Sequence, residues 1–64
     1  SIEHFIRFFD GGNAKYIPSF SGVIKKVLDR VRYQAAENPE VMERAGEKIK
    51  ALEDLYHKSL KIAR

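Results

Sequence analysis

His4 and His57 are the only histidines in this 64-residue chain, so acid–base or metal chemistry would have to begin with them. Neither stands in a ligand spacing such as HExxH, where two imidazoles one turn apart share a helix face. Asp54 and His57 are three apart and would share such a face, but two ligands do not make a metal site. Gly11-Gly12-Asn13-Ala14-Lys15 has the glycines and the lysine of a phosphate loop. It lacks that loop's spacing, its hydroxyl residue and the strand that should precede it. Ser19, Ser21 and Ser59 have no histidine at a spacing that suggests activation. There is no cysteine, which removes thiolate sites and disulfides together and fits a reducing compartment. The expectation is a non-enzymatic protein with no catalytic residue, cofactor or metal.

Binding chemistry is better represented. Ile2, Phe5, Phe8 and Phe9 stand at i, i+3, i+6 and i+7, with Arg7 beside the aromatic pair. This is the register of the peptide box by which replication and repair proteins dock on the ring-shaped sliding clamp (PCNA). In that box a glutamine comes first, an aliphatic residue three later, then two adjacent aromatics. A single tight turn places the three apolar side chains in one pocket. Phe8 and Phe9 match the aromatic pair, while Phe5 replaces the aliphatic residue and Ile2 replaces the glutamine. The chain as a whole resembles the small thermococcal clamp inhibitors. They are similar in length, cysteine-free and charged, with a helical C-terminal part, a loosely ordered N-terminal part and no proper clamp-binding box. The resemblance implies a protein that binds the clamp, breaks the contacts between its subunits and blocks processive replication. Ile2, Phe5, Phe8, Phe9 and Arg7 are the candidate partner-binding residues.

The same aromatics have a structural use. Ile2, Phe5, Ile6 and Phe9 fit i, i+3, i+4, i+7, one face of a two-turn helix. Phe8 lies off that face and is the better candidate for an exposed contact. A helix so short hardly forms alone in water, so this one requires a surface to fold against. If residues 1–20 are loose in the free protein, they would order on that surface or on a partner.

A second candidate surface is basic. The net charge is +3, and residues 21–36 carry all of it, four bases against one acid. Lys25, Lys26, Arg30 and Arg32 would neutralise phosphates without reading bases, giving steeply salt-dependent nucleic-acid binding as the rival function. No recognition-helix layout accompanies them.

Two longer elements must position these residues. Asn38-Pro39-Glu40 reads as a helix start, with a capping side chain, proline at the first helical position and an acid in the first turn. From there Met42, Ala45, Ile49, Leu52, Tyr56, Ser59 and Ala63 recur at steps of three and four, flanked by Val41, Leu55 and Ile62. That predicts a helix over about 39–63, with Gly46 its weak point at about 1 kcal/mol relative to alanine. Val23, Ile24, Val27, Leu28, Val31 and Ala35 form the apolar face of another helix over 21–36, capped by Ser21 or Ser19. The short connection makes the pair an antiparallel hairpin, all-α, preceded by the apolar N-terminal segment. Residues 1–20 are thus a partner-binding segment and linker, and 21–64 the hairpin domain. At 1.5 Å per residue the long helix outruns the short one by roughly 13 Å. Tyr56, Leu60 and Ala63 lie in that overhang, and only residues 1–20 remain to cover them. Residues 13–20 read as an irregular linker, with Tyr16, Ile17 and Phe20 as anchors.

Size bounds the rest. A single domain this short buries only about 60% of the surface its unfolded chain exposes. No run reaches the roughly 18 apolar residues of a membrane span, and the first residues lack the basic start of a signal peptide. Frequent Lys, Arg and Glu with one Met resemble a thermophile's usage. The expectation is a cytoplasmic protein, monomeric when free, with a protein partner, nucleic acid as second choice and no membrane. A homodimeric bundle through the Met42-to-Ala63 stripe is a further possibility.

Overall fold

One residue reverses the chain. In the computed structural model, which describes residues 1–62, helix α2 (Ser21–Glu37) and helix α3 (Pro39–Ile62) are separated only by Asn38. Asn38 is extended (φ −138°, ψ 108°), and its amide still donates to the Gln34 carbonyl at the end of α2. Its side-chain oxygen accepts from the Glu40 amide at 3.0 Å. One asparagine therefore closes one helix and caps the next, and Pro39 sits where a missing N–H costs nothing. The two helices pack antiparallel, and no strand occurs among the described residues.

Apolar periodicity decides which faces meet. Ile24, Leu28, Val31 and Ala35 of α2 are buried against Ala45, Leu52 and Leu55 of α3. Ser59, a polar member of the α3 stripe, is fully buried as well. Its hydroxyl donates to the Tyr56 carbonyl one turn earlier, so burial leaves no unpaired group. Two expected core positions lie outside: Met42 is 50% exposed and Val23 also faces solvent. Val41 takes the inner place that Met42 was expected to hold. Ala63 falls outside the described residues.

The N-terminal segment is seated on this hairpin. Helix α1 (Ile2–Phe8) is capped by Ser1, whose hydroxyl accepts from the His4 amide. Ile2 packs with the cluster of Val31 and Ala45, and Phe9 with Ile24 and Leu55. So α1 lies in the groove between α2 and α3, antiparallel to the first and along the second. After Phe9 the chain turns at Gly11, whose φ of +59° suits a residue without a Cβ. Residues 13–20 are more regular than expected: 3₁₀ turns run over Gly11–Tyr16 and Pro18–Phe20 and lead directly into α2. Neither Ser19 nor Ser21 caps that helix; its N-cap is Phe20, with no side-chain cap. The preceding 3₁₀ turn, opened by Pro18, satisfies the end instead.

These turns cover the overhang of α3. Ile17 and Phe9 are buried with Leu55, and Tyr56 is half-buried beside them. Leu60, expected under the same cover, is exposed. The described helices include none long and apolar enough to cross a membrane.

Candidate functional site

The aromatic residues at the open end of the hairpin form one connected cluster. Phe9 is its hub: it meets Phe5 edge-on at 5.4 Å between ring centres, Phe8 at 5.1 Å and Phe20 at 5.4 Å. Edge-to-face pairs at such distances are favoured by the ring quadrupoles beyond the area they bury. Phe8 also approaches Phe20 at 6.0 Å and lies nearly parallel to Tyr16 at 6.4 Å. The cluster thus has an inner and an outer layer. Phe9 is 4% exposed, while Phe8 and Tyr16 are 44% and 42% exposed. Lys15 places its ammonium 5.4 Å from the Tyr16 ring centre, a cation at the edge of the outer layer.

This layering divides the residues that the clamp-box register grouped together. A box needs its aliphatic position and both aromatics on one side of a turn. Here Phe5 and Phe9 point into the core, Ile2 is half-buried at the start of α1, and only Phe8 faces out. Phe9 as folded is not presented to a partner. Arg7 is exposed beside Glu3 at 3.9 Å, an i,i+4 pair along α1. Tyr16, expected with Ile17 and Phe20 as an anchor of the linker, is instead exposed and lies beside Phe8.

The basic segment is broken up by acids. Lys25 donates to Asp29 at 2.8 Å, and Arg32 reaches both Asp29, at 3.8 Å, and Glu53 of α3. The hydrogen bond and the charge of Asp29 raise the Lys25 ammonium above its usual range. Lys26 and Arg30 have no acid within ion-pair distance among the described residues. Of four candidate phosphate contacts, two are committed elsewhere in the fold. Asp54 and His57 share an exposed face of α3 with Lys58 and Lys61. Among the described residues no three His, Cys, Asp or Glu side chains gather as metal ligands would.

No protein family, curated protein or solved structure matches the chain. The functional reading therefore stands on the residues themselves.

Proposed function

We propose that this protein is a non-enzymatic protein-binding module that docks through the outer layer of its aromatic cluster, with Phe8 and Tyr16 as anchors. The observation that carries this reading is their exposure. A 64-residue domain gains about 1.5–3 kcal/mol from each large apolar side chain it fully buries. Two neighbouring stacked aromatics left half in water give up part of that gain. Aromatic residues are also among those enriched as interface anchors.

The sliding clamp is the partner we propose, with inhibition of DNA replication as the outcome. Its support is the half-matched register of residues 2–9 and the resemblance in size, composition and layout. The folded arrangement favours docking by Phe8 and Tyr16 over insertion of the whole box, because presenting Phe5 and Phe9 would dismantle the core. Nucleic-acid binding through the α2 bases has less support, since Asp29 and Glu53 already engage Lys25 and Arg32.

The test is to mix the full chain with a purified clamp ring at physiological salt and resolve the products by size and by native mass. A complex with the clamp, or a ring falling to smaller species, is expected. Phe8→Ala should weaken binding by about tenfold or more, the range of a hot-spot truncation, with helix content unchanged. A ring that stays intact and runs unshifted would remove the clamp from the proposal. Loss of helix content in Phe8→Ala would return that residue to the core.

A further inference from the structure

Two side chains that helical spacing assigns to covered positions, Met42 and Leu60, are both exposed. They lie about five helical turns apart on α3 and so point the same way. Ile49 lies between them, within about 20° of that direction. It is half-buried, as is Tyr56 two turns further on. Met42, Ile49 and Tyr56 form one edge of the α3 stripe, at the seven-residue spacing of a helix that packs on another helix. The opposite edge, Ala45, Leu52 and Ser59, is buried within the hairpin. Residues 1–20 seat on the far side of α3, along Val41, Lys48, Ala51 and Leu55. Glu53 is close to the open edge and is held by Arg32 of α2, so it brings no unpaired charge there. The stripe thus has more apolar width than one hairpin buries.

We infer that this edge is the interface of a two-fold dimer, in which α3 packs antiparallel on α3 of a second copy. Two observations choose the occupant. The edge is self-complementary: turned end for end, it brings Met42 of one copy to Leu60 of the other, with Ile49 near the axis. The charges then choose the direction. Glu40, Glu43 and Glu47 stand in the first half of α3, and Lys58 and Lys61 near its end. None of these five makes an ion pair within the chain among the described residues. Arg44, the one base among the acids, lies on the Ile2 side. Antiparallel pairing sets the acids of each copy against the lysines of the other, whereas parallel pairing would set like on like. The dimer takes the place of the free monomer expected from the sequence. It uses neither Phe8 nor Tyr16 and does not depend on the clamp as partner.

Sedimentation equilibrium of the full chain, at concentrations up to about millimolar, should show the mass rise to twice that of one chain. Leu60→Glu, at an exposed position, should raise the dissociation constant about tenfold or more, with helix content unchanged. Glu43→Lys should also weaken the dimer, and adding Lys61→Glu to it should restore pairing, because the exchanged charges face each other again. The chain has no cysteine, so single cysteines report the orientation. Met42→Cys mixed with Leu60→Cys should form a disulfide between the two variants under mild oxidation, and neither should cross-link with itself. A single-chain mass at every concentration would overturn the inference, as would a dimer that Leu60→Glu leaves intact. Cross-linking of Met42→Cys with itself would overturn the antiparallel arrangement.

Discussion

The two ends of the hairpin are treated in opposite ways. At the open end, twenty residues of chain return to cover α3 and build an aromatic core around Phe9 and Ile17. Toward the Asn38 end Ile2 packs on Val31 and Ala45, and two hollows along the helix seam share Ile2, Val31 and Gln34 in their lining. The helix lengths explain the asymmetry. α3 has 24 residues and α2 has 17, so α3 lacks a partner helix only where it outruns α2. The lesson is that the aromatic part of the core is built where chain had to be added. Toward the other end the core is aliphatic, with Ile2 and Val41 packed on Val31 and Ala45.

Substitutions at the two ends should break or sharpen that contrast. The largest effect is expected at the hub: Phe9→Ala should cost about 3–5 kcal/mol, the range for emptying a buried aromatic site. A domain this small has few kcal/mol in all, so Phe9→Leu provides a milder variant that can still be measured by denaturant unfolding. Phe8→Ala, one residue away, should cost about 1 kcal/mol or less. Equal losses for the two would erase the distinction between inner and outer layers.

Smaller effects are expected toward the Asn38 end, and of both signs. Asn38→Ala removes the cap on α3 and should destabilise by about 1 kcal/mol. Gly46→Ala should stabilise by about the same amount, because a Cβ there meets nothing within 4 Å. If either change moved the unfolding midpoint as far as Phe9→Leu, the weight given to Phe9 as the hub of the aromatic cluster would be wrong.

The smallest effect belongs to the ion pairs of α2. A lysine whose folded pKa is raised contributes stability that is present below its unfolded value. That contribution is lost as the pH rises through the folded value, here on the strongly alkaline side. Asp29→Asn should bring the Lys25 titration, followed by NMR, back down toward an ordinary lysine, because Asp29 causes the rise. An unmoved titration would show that the pair is not held in solution. Stability near neutral pH should hardly change, since the pair lies on the exposed surface.

Much of the hairpin could be read before any coordinates. Ile24, Leu28, Val31 and Ala35 recur at helical spacing and all four are buried; Asn38-Pro39 marks the start of α3 as built. The near misses are instructive. Met42 and Val41 are adjacent, about 100° apart on a helix, so periodicity alone could assign the inner place to either. Packing against Ile2 and α2 favoured Val41. The 3₁₀ turns of 11–20 have no apolar period, and their regularity comes from Pro18, the positive φ of Gly11 and the surface beneath them. The two hollows were not visible at all, because more than one helix lines each.

What residue order settled here is local: helical period, the chain reversal at Asn38 and an overhang of α3 beyond α2. Each follows from interactions within a few residues or from chain length. What tertiary packing alone decided is the fate of individual side chains. Phe8 and Phe9 are neighbours of one type, yet a helical turn points them about 100° apart, and the hairpin surface determined which went inward. Arg32 is paired and Arg30, among the described residues, has no acid within ion-pair distance for the same reason: Arg32 lies within reach of Glu53 across the seam.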